Sequence, residues 1–170
     1  MRAMKTTPAT KSQQWLLYCR PGFERDCVQE TQGKPREAEA NSGFIIVQGK
    51  PRLSYTQLTF ARQLIALHGE VSELPERDRL TPLLTAIPDE PQKFGALWLE
   101  TPDTNEGKTL SGFIKRFQPL LEAKLRASGR LVDDATLTRL HIFFPDKNRA
   151  LIGTSDPRNS AAAPMGILRM

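Results

Sequence analysis

The residues able to carry covalent chemistry are few and lie far apart in the sequence. His68 and His141 are the only histidines, and each falls in a segment whose pattern predicts a strand. Cys19 and Cys27 are the only cysteines, and their spacing matches no metal site. A histidine or a thiol becomes a catalyst only beside a group that moves its proton or lowers its pKa. Because no such partner can be named, a structural role for Cys19 and His141 is favoured over a small stand-alone enzyme.

Two acidic residues, Asp103 and Glu106, could suggest acid–base catalysis or a metal site. The segment Asp103-Thr104-Asn105-Glu106 also has the composition of a helix start, with a capping residue and a carboxylate in the first turn. That simpler interpretation is favoured. The sequence contains no Gly-x-Ser-x-Gly, no Gly-x-x-x-x-Gly-Lys and no His-Glu-x-x-His, so nothing indicates a serine hydrolase, a P-loop nucleotidase or a zinc protease.

Positive charge is concentrated in the C-terminal part of the chain. Residues 103–170 carry 11 Lys and Arg against 7 Asp and Glu, whereas residues 1–102 carry 13 against 12. Such an excess attracts a polyanion through its phosphates, or it only keeps the surface of a structural spacer hydrated. Charge alone leaves both interpretations open. The candidate phosphate contacts lie on a predicted helix, in a hairpin and after the last strand: Lys108, Lys115, Arg116, Lys147, Arg149, Arg158 and Asn159.

The first half of the chain has the element order β-α-β-β-α-β, which is the ferredoxin-like pattern. Residues 1–12 are polar and without periodicity, so we expect a flexible leader there. The strands are short runs of apolar and β-branched residues bounded by Gly, Pro and Asn, and the helices follow acidic or capping residues. The predicted strands are 13–19, 34–40, 43–48 and 62–71, and the predicted helices are 23–32 and 55–60, the latter capped by Ser54.

The second half predicts a small α/β layer of its own. Its longest periodic segment runs from Asp103 to Gly129, which we expect to end the helix as a C-cap. Pro119 lies inside that segment and predicts either a kink or the start of a second helix. The other predicted elements are a helix over 80–87 capped by Asp78 and strands at 96–100, 140–144 and 150–154.

Five short strings of residues occur along the chain in a fixed order. They are Leu17-Tyr18-Cys19-Arg20-Pro21-Gly22-Phe23-Glu24-Arg25-Asp26-Cys27, Phe60-Ala61-Arg62-Gln63, Asp78-Arg79-Leu80-Thr81-Pro82, Asp103-Thr104-Asn105-Glu106, and Met165-Gly166-Ile167 with Arg169. In order and spacing they resemble those of the RlmM-type large-subunit ribosomal RNA ribose 2′-O-methyltransferases. The resemblance implies an α+β fold, in which a ferredoxin-like subdomain is followed by an RNA-binding THUMP domain. We therefore predict a leader at 1–12, a ferredoxin-like subdomain at 13–72, a THUMP domain at 73–156 and a linker at 157–170.

The resemblance also implies what this chain does not carry. The family's Rossmann-like domain, which uses S-adenosylmethionine, has a Gly-rich cofactor loop and a Lys-Asp-Lys-Glu catalytic group, and neither has a counterpart here. No catalytic, cofactor-binding or metal-binding residue is therefore expected. The apolar pair Ile167-Leu168 at the end of the sequence leads us to expect a further domain beyond it. The expected partners are ribosomal RNA and that methyltransferase domain, for a cytoplasmic monomer that does not meet the membrane.

Overall fold

A computed structural model of the chain describes residues 13–164. The predicted leader at 1–12 lies outside the described residues, as do the closing Met165-Gly166-Ile167 string, Ile167-Leu168 and Arg169. Within 13–164 the chain forms seven strands, four helices and one 3₁₀ turn. They are β1 (Gln14–Tyr18), α1 (Glu24–Thr31), β2 (Lys34–Glu37), β3 (Phe44–Gln48), a 3₁₀ turn (Tyr55–Gln57), β4 (Gln63–Val71), α2 (Leu80–Ala86), β5 (Ala96–Glu100), α3 (Asn105–Lys108), α4 (Ser111–Ala127), β6 (Arg139–Asp146) and β7 (Arg149–Ser155).

All seven strands belong to one sheet, in the order β2-β3-β1-β4-β7-β6-β5. The first four strands have the ferredoxin-like arrangement, and the α+β class predicted from the sequence is confirmed. The separate layer expected for the second half is wrong, because β4 pairs with β1 through its first five residues and with β7 through Ala66 to Val71. One nine-residue strand thus serves both halves and makes the sheet continuous.

Two predicted helices differ from the structure. The predicted helix at 55–60 is only a single 3₁₀ turn, which Ser54 caps together with the side chain of Gln57. The predicted long helix breaks at Thr109 and Leu110 rather than at Pro119, which lies inside the uninterrupted α4. Proline removes a donor to the carbonyl four residues back, and here Pro119 is on the exposed side of the helix, where water can bond that carbonyl instead.

The predicted C-cap at Gly129 is confirmed. Its φ of +77° lies in the left-handed region that favours glycine. Its N–H donates to the carbonyl of Arg126 at 3.0 Å, and the N–H of Arg130 reaches the carbonyl of Leu125 at 2.8 Å. These bonds satisfy carbonyls that the end of α4 would otherwise leave without donors.

The helices cover one face of the sheet. Residues on a strand alternate between its two faces, and Leu83 of α2 and Leu121 of α4 pack on Leu140 and Ile142. Cys27 of α1 packs on Leu17 and its neighbours, which alternation places on the same side. We call this side the helical face, and the opposite side the inner face. The inner face carries a buried apolar cluster formed by Leu16, Tyr18, Phe44, Ile46, Ile65, Leu67, Phe143 and Leu151.

The inner face is buried because the sheet curls around it. Strands β1 and β5 are four positions apart, which is about 19 Å in a flat sheet with strands ~4.8 Å apart. A tyrosine and a glutamate cannot span that distance, yet Tyr18 Oη donates to Glu100 Oε1 at 2.7 Å. Strands β2 and β7 are equally far apart in order, and Glu37 bonds Arg149 at 2.7 Å. These two bridges require strong curvature, which leaves the helical face as the convex outer surface.

Candidate nucleic-acid interface

Helix α4 presents two of the predicted phosphate contacts to solvent. Its buried stripe is Phe117, Leu121 and Leu125, and burial of that stripe fixes the rotation of the helix. Lys115 and Arg116 fall on the other side and are exposed. Among the described residues, no carboxylate lies within ion-pair distance of either one. Their charges are therefore available to an anionic partner.

Lys108 extends the basic surface onto α3. That short helix begins at Thr104, whose Oγ1 accepts the N–H of Gly107 at 2.9 Å. The sequence analysis predicted a capping residue within Asp103-Thr104-Asn105-Glu106, and in the structure that residue is Thr104. Asp103 instead pairs with Arg62 at 3.1 Å, so the acidic group has a structural partner. Lys108 is exposed at the end of α3, three residues before α4 begins.

Two basic residues near Arg116 were missed by the sequence analysis. Arg77 and Arg79 precede α2, and together with Arg116 and Phe113 they line a cavity of about 270 Å³ between the start of α2 and α4. The signal was present in Arg77-Asp78-Arg79, but it lies before position 103, where positive and negative charges balance. Only the packing of α2 beside α4 shows that these arginines lie near Arg116.

The two basic candidates in the β6–β7 hairpin, Lys147 and Arg149, differ in their partners. Lys147 is exposed in the turn, and its ammonium has no ion-pair partner among residues 13–164. Arg149 is different, because its guanidinium donates to Glu37 at 2.7 and 2.8 Å and to Glu70 at 2.9 Å. All three of its nitrogens are engaged inside the molecule. The structure thus gives Arg149 a role in bridging strands on the inner face, and its contact with phosphate stays a prediction that these bonds do not favour.

The electrostatics of this bridge are mutual. Hydrogen bonds to Glu37 raise the pKa of Arg149, against the opposing effect of burial. The same bonds lower the pKa of Glu37, with a smaller contribution from the charge of Arg36. Arg36 closes the group by pairing with Glu70 at 2.7 Å. The four charges neutralise one another, so this part of the hairpin adds no net attraction for a polyanion.

The segment after β7 also makes hydrogen bonds to the rest of the fold. Asn159 Oδ1 accepts the N–H of Tyr55 at 2.7 Å, which fastens this segment to the 3₁₀ turn. Arg139 donates to the carbonyl of Ala161 at 2.6 Å from within the sheet. Arg158 is exposed, and its nearest carboxylate is Asp156 at 3.3 Å. Asn159 is thus a structural contact, whereas Arg158 keeps an accessible charge.

The residues proposed for a stand-alone enzyme are buried. His141 Nε2 lies 2.6 Å from Ser155 Oγ and Nδ1 lies 3.2 Å from Glu100 Oε1, which is the order of a serine–histidine–acid triad. All three side chains lie on the inner face, with His141 at 0% exposure, so a substrate cannot reach the hydroxyl. Tyr18 completes this network, and burial together with the Glu100 carboxylate raises its pKa.

Cys19 is equally unsuited to catalysis. It is buried beside Cys27, and both thiols are free. The hydrogen bond with Cys19 and the burial of the pair raise the pKa of Cys27, which is the opposite of what a nucleophilic thiolate needs. Within residues 13–164, no three His, Cys, Asp or Glu side chains come together as a metal site. The described helices include none with the length and apolar character of a membrane span.

Comparison with known families covers both halves of the chain. Residues 12–65 match the RlmM ferredoxin-like domain, and residues 78–156 match the N-terminal domain of ribosomal RNA large subunit methyltransferase M. The ribosomal RNA large subunit methyltransferase M of Laribacter hongkongensis is 43% identical over 92% of this chain and 47% of its own length. The protein of that name from Alkalilimnicola ehrlichii is 38% identical over 96% of this chain and 49% of its own. The chain spans about half the length of the curated relatives it matches.

Solved structures show the same fold in more distant proteins. TrmN from Thermus thermophilus aligns with a TM-score of 0.50 and 20% identity, over 83% of this chain and 45% of that protein. A predicted N6-adenine-specific DNA methylase from Listeria monocytogenes aligns with a TM-score of 0.50 and 19% identity, over 85% and 40%. These neighbours support the predicted fold, a ferredoxin-like unit followed by a THUMP-type α/β unit. With both halves matched in order, the chain belongs to the family of ribosomal RNA large subunit methyltransferase M, of which it contains the N-terminal region.

Proposed function

We propose that this chain is the RNA-binding module of a ribosomal RNA cytidine ribose 2′-O-methyltransferase, and that it holds rRNA for a methyltransferase domain elsewhere in the longer protein. Ribose methylation requires a 2′-hydroxyl in line with a sulfonium methyl group, so positioning supplies a large share of the rate. Family membership supports the substrate class. The observation that carries RNA binding is the exposed basic surface of α3 and α4, where Lys108, Lys115 and Arg116 lack carboxylate partners among the described residues.

Contact with rRNA in this proposal is made mainly through phosphates. Lys147 and Arg158 add exposed charges, while Arg149 and Asn159 are left out because their polar atoms are engaged within the protein. The partners are rRNA and the methyltransferase domain of the same protein. A monomer in the cytoplasm suits this role, since rRNA is met there and the two cysteines are free thiols.

The cofactor S-adenosylmethionine belongs in this proposal to the methyltransferase domain. The turn after β5, where a parallel strand leads into a helix, does not fit it. Thr101-Pro102-Asp103-Thr104 leads from a parallel strand to α3, but a side chain at Gly107 would collide with the Pro102 carbonyl. The turn is therefore packed against its own helix and leaves no cradle for a ligand. The cofactor would supply the methyl group, and the residues of this chain would hold the RNA.

The direct test is titration of the chain with a structured fragment of large-subunit rRNA at two salt concentrations. The proposal names five phosphate contacts, so we expect a Kd of about 10⁻⁴ to 10⁻⁶ M. A plot of the logarithm of the association constant against the logarithm of salt concentration should have a slope of about −4. A dissociation constant that does not change with salt, or no binding at low salt, would contradict the proposal.

The alternative is a structural spacer whose basic residues only aid solubility. The two hypotheses predict different effects of charge reversal on rRNA methylation by the full-length enzyme. A spacer tolerates Lys115→Glu with Arg116→Glu without loss of rRNA methylation, whereas an RNA-binding module loses it in proportion to rRNA affinity. The comparison variant is Lys124→Glu, a charge reversal further along the exposed side of α4.

A further inference from the structure

The cavity between the start of α2 and α4 has the composition of an anion site. Three guanidinium groups line it, from Arg77, Arg79 and Arg116, against two carboxylates. One of those carboxylates, Asp78, is committed to the fold, because its Oδ1 accepts the N–H of Thr81 at 3.1 Å at the start of α2. Glu76, the other, is exposed at the rim. The cavity therefore keeps an excess of positive charge.

Arg79 is held in a fixed orientation within this cavity. Its guanidinium lies 5.1 Å from the centre of the Phe113 ring, a cation–π distance that restricts the planar group. Phe113 is itself fixed by stacking on Phe117, with ring centres 5.3 Å apart. The Nε of Arg79 is buried and has no hydrogen-bond acceptor among the described residues. A buried donor without an acceptor is costly, so an acceptor that reached this nitrogen would stabilise the site.

The rest of the cavity suits a nucleotide rather than a lone ion. Arg77 and Arg116 are exposed on either side, where they can move to meet an incoming group. Leu120 lies at the rim with 58% of its surface exposed, which is unusual for a leucine on a well-packed helix. A planar guanidinium matches the geometry of a phosphate, and an apolar side chain beside it offers a surface for a sugar or a base.

We propose that this cavity binds one phosphodiester of a single-stranded RNA segment, with Arg79 donating to a phosphate oxygen and the next nucleoside lying on Leu120. This inference rests on the proposed function and gives it a defined contact point. Arg77 and Arg116 close over the phosphate from the two sides. Arg116 is also next to the exposed Lys115, so a strand that leaves the cavity past Arg116 meets a second cation on the outer side of α4. That adjacency favours a polyanion over a short acidic peptide.

The test measures binding of a labelled ten-nucleotide single-stranded RNA by fluorescence anisotropy at low salt. The double variant Arg77→Glu with Arg116→Glu is expected to weaken binding at least tenfold. The matched control, Lys34→Glu, reverses an exposed lysine on β2, at the opposite end of the sheet from β5, and is expected to change the affinity less than about twofold. Arg79→Lys keeps the charge but removes the planar donors, and we expect a loss of about fivefold. Thermal unfolding of each variant confirms that it is folded.

A second measurement follows Arg79 in the unmodified protein. In a ¹H–¹⁵N spectrum of the arginine side chains, the Nε–H signal of Arg79 is expected to shift on addition of the same RNA. Inorganic pyrophosphate should shift it less, because it cannot contact Leu120. A signal unaffected by RNA, or a double variant that binds as well as Lys34→Glu does, would overturn the assignment of the cavity. A poly-glutamate peptide that competes as well as RNA would also overturn it.

These outcomes are separate from failure of the proposed function. If the unmodified chain binds neither the ten-nucleotide RNA nor the rRNA fragment, the proposed function is wrong and the cavity assignment falls with it. If RNA binding survives the change at Arg77 and Arg116 but is lost on reversal of Lys108 and Lys115, the cavity assignment is wrong and the proposed function stands.

Discussion

Arg149 and Arg116 are the same residue type in the same basic half of the chain, and the fold uses them in opposite ways. Arg149 lies on the inner face with 19% of its side chain exposed and bonds two carboxylates. Arg116 lies on the outer surface of α4, with no ion-pair partner among the described residues. The first holds strands of the curled sheet together, and the second is free to meet an anionic partner, which in the proposed function is RNA. The curvature of the sheet therefore places some basic residues on the inner face, where they pair with carboxylates, and leaves others exposed on the outer surface.

The largest expected effect on stability is at the inner-face bridge. Arg149→Ala removes three hydrogen bonds, leaving Glu37 without its bidentate partner and Glu70 with Arg36 alone. Breaking a partly buried charge pair by removing one partner is expected to cost about 3 kcal/mol. Denaturant unfolding at neutral pH measures this, and Arg36→Ala is the control, expected to cost less than about 1 kcal/mol because that residue is more exposed. Equal effects of the two substitutions would contradict the role of Arg149 as the central bridge.

The next largest effect on stability is expected at Glu24, a buried residue whose carboxylate accepts hydrogen bonds from the backbone. Burial alone would raise its pKa, but N–H groups of Gly43, Asn41 and Gly22 donate to the carboxylate at 2.8 to 3.0 Å and lower it. Glu24→Gln should cost about 2 kcal/mol at neutral pH. Since the pKa is lower in the folded state, this stabilisation is present above the unfolded pKa and is lost as pH falls through the folded pKa.

Stability measured between pH 7 and pH 3 tests this sign. The loss of stability on acidification should be smaller in Glu24→Gln than in the unmodified chain. Asp26→Asn on the same helix serves as the control for removing a carboxylate. A Glu24→Gln variant whose pH dependence matches that of the unmodified chain would show that the backbone bonds do not bind the charged form.

A smaller effect is expected at Tyr18 in the buried polar network. Tyr18→Phe keeps the ring stacked on Phe143, 4.6 Å between centroids, and removes only the bond to Glu100. One donor lost to a buried carboxylate should cost about 1–2 kcal/mol, measured by denaturant unfolding. Because this bond joins β1 and β5 across the curl, no change on substitution would mean that apolar packing and the Arg149–Glu37 bridge maintain the curvature without it.

The smallest effect on stability is expected on the outer surface. Lys115→Glu with Arg116→Glu removes exposed charges that have no carboxylate partners among residues 13–164. The free energy of unfolding should change by less than about 0.5 kcal/mol. The slope of the logarithm of the RNA association constant against the logarithm of salt concentration should become shallower by about one for each lost phosphate contact. A large loss of stability would show that these residues hold the fold together, as Arg149 does.

Local patterns predicted most of the fold. Apolar runs located the strands other than the charged β2, and Gly129 located the end of α4, because these signals depend on neighbours in sequence. The continuity of the sheet was not predictable in this way, since it depends on β4 being long enough to pair with β1 and β7 at once. Pro119 misled the prediction for a physical reason: the freed carbonyl is on the exposed side of the helix, a property that only tertiary packing determines.

The candidate site was predicted only in part, for a related reason. Lys108, Lys115 and Arg116 could be placed from the helical pattern. Arg149 could not be told apart from them, because its partners Glu37 and Glu70 are 112 and 79 residues away in sequence. Arg77 and Arg79 were missed because their proximity to α4 also depends on long-range packing. Charge composition therefore located the basic half, and the structure is needed to say which charges are free.

The measurement that tests this account most directly compares two variants in two assays, with rRNA affinity and unfolding free energy determined for each. We predict that Arg149→Ala loses stability but, at a temperature where it is folded, binds rRNA within about twofold of the unmodified chain. We predict that Lys115→Glu with Arg116→Glu keeps its stability and loses at least about tenfold in affinity. If the Arg149 variant loses affinity while folded and the α4 variant does not, the assignment of RNA binding to the outer surface is wrong.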